Sequence, residues 1–328
     1  MVHGRFLLFL VLLASAACRT LPPGAECWSL DGRALTPPAP DPSAKAAQLE
    51  ALEQARLELA VSPEDKNAVI WYARRLGYAG RYREAIKVLS DGLDVHRGDP
   101  FLLRHRGHRW ITLREFGKAA ADLERAADAC RTTRDEVEPD GQPTPGRPPH
   151  SSLHFNVHYH LGLALFLAGD FELAERAWLD CLAIVANDES RVAVTHWLWC
   201  VRVRLRDFAG AEALVANMGP DMDVVENKSY HQLCLLYAGK LQREQIVSLA
   251  GSAGSALAFG LAHYRMVQSE LRSYSFDPVQ TSEPGIKARM DTALLDDGRG
   301  DLEALARAPG WSAFGVIAAE VELARWRQ

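Results

Sequence analysis

Gly80-Arg81-Tyr82-Arg83-Glu84-Ala85 and Arg114-Glu115-Phe116-Gly117-Lys118-Ala119 are two copies of one pattern set 34 residues apart. Around them Ala73 falls on Gly107, Leu76 on Trp110, Tyr82 on Phe116, Ala85 on Ala119, Leu89 on Leu123 and Gly92 on Ala126. Small residues recur where two helices close to packing distance, because a larger side chain would hold the backbones apart. Bulky residues recur between them and fill the volume. A period of this length predicts an all-α protein, an α-α superhelix or solenoid of stacked antiparallel helix pairs. The apolar spacings are helical and not those of strands.

The pattern returns after a break, in Gly162, Leu165, Gly169-Asp170-Phe171, Ala174, Trp178 and Cys181. Phe116 and Phe171 are separated by one period plus an insertion of 21 residues. Glu136 to Pro149 holds Pro139, Asp140-Gly141, Pro143, Pro145, Gly146, Pro148 and Pro149, so a loop over about 131–152 is expected between two units. Its Glu136, Glu138 and Asp140 read as a solvated turn and not as an acid/base pair. A fourth unit runs through Trp199, Arg202, Phe208, Ala211 and Val215, and a weaker fifth through Gln232, Leu235, Gly239 and Leu241. Repeats therefore occupy 46–250. Residues 251–328 read as a degenerate repeat and C-terminal capping helices, the last one amphipathic through Phe314, Ile317, Ala318, Val321 and Ala324.

The N-terminus carries a basic start, an apolar run of eight from Phe6 to Leu13, and Ser15-Ala16-Ala17-Cys18. Residues 1–17 read as an export signal, since eight apolar residues are too few to span a bilayer as a helix. The segment resembles a bacterial lipoprotein signal, which implies acylation of Cys18. Ser15 stands where such signals usually have Leu, so simple cleavage after Ala17 is the alternative. Residues 18–45 are rich in proline and read as an extended tether. The expected location is a membrane-anchored lipoprotein facing the periplasm, or else a soluble secreted or periplasmic protein. Five further cysteines follow Cys18 without a CxxC pair, so buried thiols are expected and not a disulfide framework.

The alternation of a small residue, a large one three on, a turn, an aromatic, then Ala, a large residue and Ala resembles the tetratricopeptide repeat. Leu103-Arg104-His105-Arg106-Gly107-His108-Arg109, Val137-Glu138-Pro139-Asp140-Gly141, Tyr159-His160-Leu161-Gly162-Leu163-Ala164 and Trp311 to Glu320 together resemble a group of bacterial tetratricopeptide repeat proteins, many exported, without an assigned activity. That resemblance covers about residue 25 to the end, and it implies no catalytic residue.

Function in such a scaffold is expected on the concave face, built by the first helix of each pair. Counting from the close-approach residue, the inward positions are Asn67, Ile70, Trp71 and Arg74, then Arg104, His105 and His108, then Asn156, Tyr159 and His160. His196 and Trp197 follow, and then Ser229 and Tyr230. Aromatics offer rigid contact area and Arg offers forked donors, so a protein or peptide partner with acidic side chains or a free carboxylate is expected. The alternative is a lipid-anchored structural or assembly factor that meets partners through the convex face or the 131–152 loop. No enzyme is expected, because there is no glycine-rich phosphate loop, no GxSxG and no oriented Cys/His pair. The His105/His108 and His154/His158 spacings lack an HExxH context, so neither metal nor cofactor is expected. With a net charge of -5, the arginines between Arg74 and Arg114 read as a solvated face and not as a nucleic-acid patch, and no small-molecule substrate is expected. Mass analysis of the mature N-terminus is expected to find an acylated Cys18; an unmodified terminus there identifies simple cleavage instead.

Overall fold

The computed structural model describes residues 20–39, 42–141, 144–274 and 296–327. The export signal expected at 1–17 and Cys18 lie outside the described residues. A short hairpin, β1 (Cys27–Trp28) and β2 (Ala34–Leu35), precedes α1 (Pro42–Val61), α2 (Lys66–Tyr78), α3 (Tyr82–Val95), α4 (Pro100–Thr112) and α5 (Phe116–Cys130). Then come α6 (Leu153–Ala168), α7 (Phe171–Ala183), α8 (Asp188–Arg204), α9 (Phe208–Val215), α10 (Lys228–Tyr237) and α11 (Gly251–Tyr274). Residues 296–306 form α12, and α13 spans Phe314–Arg325. The described chain is thus all-α apart from the hairpin and a single bridge between Val137 and Ser152.

Local sequence starts and ends these helices. Asp65, Asp99, Ser152, Asn187 and Asp207 each accept a backbone N–H of the first turn, and Pro100 opens α4 where no N–H is needed. Between paired helices the chain turns within two or three residues, which leaves only an antiparallel return. One residue of each of these turns is left-handed, Gly80, Arg114, Gly169 and Arg206, and Gly239 takes the same conformation after α10. Glycine adopts that backbone freely, whereas Arg114 and Arg206 hold it against a steric cost.

Consecutive helices pack on one another, and α2 meets α4, α4 meets α6, α6 meets α8, and α8 meets α10. The small residues lie at the closest approaches. A methyl group on Gly107 would come within 2.7 Å of Leu123, and one on Gly162 within 2.5 Å of the Trp178 ring. Trp178, Trp197, Phe166 and Phe259 are fully buried at the centre.

Two expectations are corrected. Residues 20–39 are not a tether, because Cys27 and Leu35 are buried and the segment is pinned to distant helices. Arg33 Nη2 donates to the Ala306 carbonyl at 2.8 Å, and Trp311 Nε1 donates to that of Thr36 at 2.8 Å. Nor does the C-terminal segment cap an open end. Instead α13 packs on α6 and α11, and its Glu320 forms a buried ion pair with Arg114 in the turn after α4, at 2.6 Å. The same guanidinium donates to the carbonyls of Thr112 and Trp311, which fixes the strained left-handed turn.

Gly162→Ala is expected to destabilise by roughly 1–3 kcal/mol, because the buried Trp178 ring has no room to move. Gly117→Ala, where nothing lies within 4 Å, is expected to stabilise by up to about 1 kcal/mol. Urea denaturation of the two variants is expected to show opposite signs; equal signs contradict the close-approach account.

Candidate functional site

The faces of α2, α4, α6, α8 and α10 that point the same way carry most of the candidate residues. Arg74 comes from α2, Arg104, His105 and His108 from α4, Tyr159 and His160 from α6, His196 and Trp197 from α8, and Tyr230 from α10. Their rings form a continuous row. His108 and His160 lie 4.6 Å apart, His160 and Tyr159 5.4 Å, and His196 and Tyr230 5.0 Å. Trp197 Nε1 donates to the Tyr159 hydroxyl at 2.9 Å, and the Tyr159 and Tyr230 hydroxyls are 3.4 Å apart.

The insertion enters this face. Glu138, expected in a solvated turn, is only 3% exposed. Its carboxylate pairs with Arg104, accepts from the Asn156 amide, and lies 3.5 Å from His105 Nε2. The next carbonyl, Pro139 O, accepts from Arg74 at 2.7 Å, and Gly141 lies so close to the Tyr78 hydroxyl and the Arg74 guanidinium that a methyl group there would have to push them aside. The ends of the loop pair with each other, through Glu138 N to Ser151 O at 2.9 Å and Leu153 N to Glu136 O at 2.8 Å. Arg147 ties its far side to Asp223.

The hydrogen bonds fix the protonation states. Arg104 Nη1 donates to His105 Nδ1 at 3.0 Å and Arg109 Nη2 donates to His108 Nδ1 at 2.9 Å, so both imidazoles are neutral with the proton on Nε2. His160 has the other tautomer, since its Nδ1–H donates to the Asn156 carbonyl at 2.6 Å. Burial and then the Arg104 charge push His105 and His160 down to about 3, and burial alone does the same to His196. For Glu138 burial opposes the charged form, yet Arg104 and His105 outweigh it and hold the carboxyl below its usual range.

Not every candidate is a surface residue. Asn67 is exposed at the start of α2, and Trp71 is half-buried with Arg74 and Arg75 over its ring, at 4.6 and 5.2 Å. Arg74, His108 and Tyr230 are half-buried; Arg104, His105, Tyr159 and His160 are buried at the base of the row. His196 and Trp197 are corrected as contact residues: both are 0% exposed, covered by Tyr230, Tyr237 and Phe259. The arginines are not one solvated face either. Arg104 and Arg114 are buried, and Arg106 pairs with Asp122 at 2.7 Å. Glu138 joins the site without any local periodic signal, and Phe314, periodic within its own helix, reaches the site by packing on His108 at 5.2 Å.

Beside the ring row lies a cleft of about 450 Å³. Asp140, Phe155, Tyr159, Tyr230, Glu226 and Phe314 are among its walls. Among the described residues no group of three His, Cys, Asp or Glu could hold a metal. Cys27, Cys130, Cys181, Cys200 and Cys234 are buried free thiols, and burial pushes Cys27 and Cys130 up to about 11. No helix among the described residues is long and apolar enough to cross a membrane. No family model matches the chain, and no curated protein matches it.

The three buried imidazoles give the fold a pH signature. An unfolded chain protonates them near 6.5, while the folded chain keeps them neutral down to about 3. Below the higher value the unfolded state binds protons that the folded state does not, so stability falls as pH drops through this window and returns as it rises. The unfolding free energy from urea titration is expected to be lower at pH 5 than at pH 7.5, by roughly 2 kcal/mol per ring. A flat profile contradicts neutral burial.

Proposed function

We propose that the chain is a non-enzymatic helical-repeat scaffold of the tetratricopeptide type, exported and held at the cell envelope through Cys18, that binds an extended acidic segment of a protein partner. The segment lies along the face made by α2, α4 and α6. One observation carries this reading: that face already holds an extended acidic stretch, its own Val137–Gly141. Glu138 pairs with Arg104 beside His105, and the Pro139 carbonyl accepts from Arg74. Charge-assisted bonds to the carboxylate and a neutral bond to the main chain are the two contacts an incoming peptide needs. The loop therefore acts as an internal stand-in, and a partner binds by displacing it and filling the neighbouring cleft with its flanking residues.

Under this reading Arg74, Arg104, His105 and His108 meet the acidic group, Trp71 and Asn67 border the entry, and Tyr159, His160 and Tyr230 form the floor. His196 and Trp197 support that floor from behind. Displacement separates the proposal from an assembly factor that uses the loop itself as its contact surface.

A synthetic peptide with the sequence of residues 134–141 provides the test. Fluorescence anisotropy is expected to show it binding to a chain lacking residues 136–149, and to Glu138→Gln more weakly than to that deletion. Adding Arg74→Ala, Arg104→Ala and His108→Ala to the deletion is expected to abolish binding while circular dichroism stays helical. A folded deletion chain that ignores the peptide overturns the proposal.

A further inference from the structure

Behind the loop lies a second cavity of about 200 Å³, whose polar walls are Arg74, Tyr78, Arg104, Arg109 and three imidazoles, those of His105, His108 and His160. Its charges do not balance. Three guanidinium groups face one carboxylate, that of Glu138, while the imidazoles are neutral, which leaves two positive charges. Asp140 lines the neighbouring cleft and not this cavity.

Among the described residues no second carboxylate pairs with these arginines. Arg109 donates to His108 Nδ1 and sits 5.8 Å from the Tyr82 ring, and among the described residues it has no carboxylate partner. Its head group is seated against the α2 backbone at Gly77, where a methyl group would come within 2.4 Å of Nη1. Arg104 is 9% exposed, and its Nε is buried with no hydrogen-bond partner. Burial weighs against the charge of both groups, and each is further disfavoured by the other arginines. Arg104 is buried and Arg74 and Arg109 are half-buried, so water only partly screens their mutual repulsion and a bound counter-charge is favoured.

We propose that this cavity is a binding site for an oxyanion of the phosphate class, free phosphate or a phosphate monoester, which supplies the two missing negative charges. Near neutral pH a phosphoryl group carries close to two charges and several acceptor oxygens, whereas a carboxylate supplies one charge. Arg104 Nε and the Arg109 guanidinium are the donors that the fold leaves over, and the His108 tautomer leaves an Nε2–H beside them. The site shares Arg74, Arg104 and His108 with the peptide reading but does not depend on it. A chain that responds to phosphate and captures no peptide keeps the site and loses that reading, and the reverse pattern does the opposite.

Thermal unfolding of the full mature chain at constant ionic strength tests this, with sodium phosphate, methyl phosphate, acetate and chloride as probes. A rise in midpoint of roughly 5 °C is expected at a phosphate concentration about 100-fold above Kd, relative to chloride. A larger response to methyl phosphate identifies a monoester as the better ligand, and a larger one to phosphate identifies the free ion. Arg109→Gln is expected to remove the response. Glu138→Gln, which takes away the competing carboxylate at equal size, is expected to enlarge it and serves where Arg109→Gln does not fold. Equal midpoints in phosphate and chloride overturn the proposal, as does an acetate response of the same size, a full response in folded Arg109→Gln, or an unchanged one in Glu138→Gln.

Discussion

Two helix backbones close to packing distance only where one of them lacks a side chain, and this constraint organises the molecule. Leu123 lies over Gly107, the Trp178 ring over Gly162, and Val69 over Gly92. Each contact sets both the separation and the rotation of a helix pair, so the residues three and four positions away are aimed in a determined direction. That is how Arg104, His108 and His160 come to share a face despite lying on two helices separated by a long insertion. The left-handed turns after α2, α4, α6 and α8 repeat the same short return.

On that face the chemistry is governed by desolvation. Neutral imidazoles accept from guanidinium groups where carboxylates would ordinarily do so, and a single buried carboxylate, Glu138, serves Arg104, His105 and Asn156 together. Removing one member of such a network leaves the others uncompensated, so its parts are expected to be strongly non-additive. The loop that delivers Glu138 is therefore part of the fold as much as a connection within it.

The helix pairs were legible because their signal is local: Ala73, Leu76, Tyr82 and Ala85 announce a turn and two faces within a few residues of one another. The inward count put Arg74, Arg104, His108 and His160 together through the same periodicity, and all four line one cavity. It could not tell surface from interior for His196 and Trp197, because the side chains that cover them come from α10 and α11. Glu138 was unreadable for a related reason. A proline-rich stretch looks solvated in one dimension, and its burial depends on an arginine 34 positions earlier in the chain. Residues 20–39 misled in the same way, since proline content suggested an extended tether while the contacts that hold the segment come from Ala306, Trp311 and Glu320.

Glu320 accepts from the Leu30 backbone and from Arg114, partners 290 and 206 positions away. Arrays of helix pairs ordinarily close unit by unit, each on its predecessor. Here the turn after α4 and the hairpin before α1 wait for α13, which follows in sequence every helix it touches. Closing these contacts costs loop entropy over most of the chain, a cost that contacts between neighbouring units do not carry.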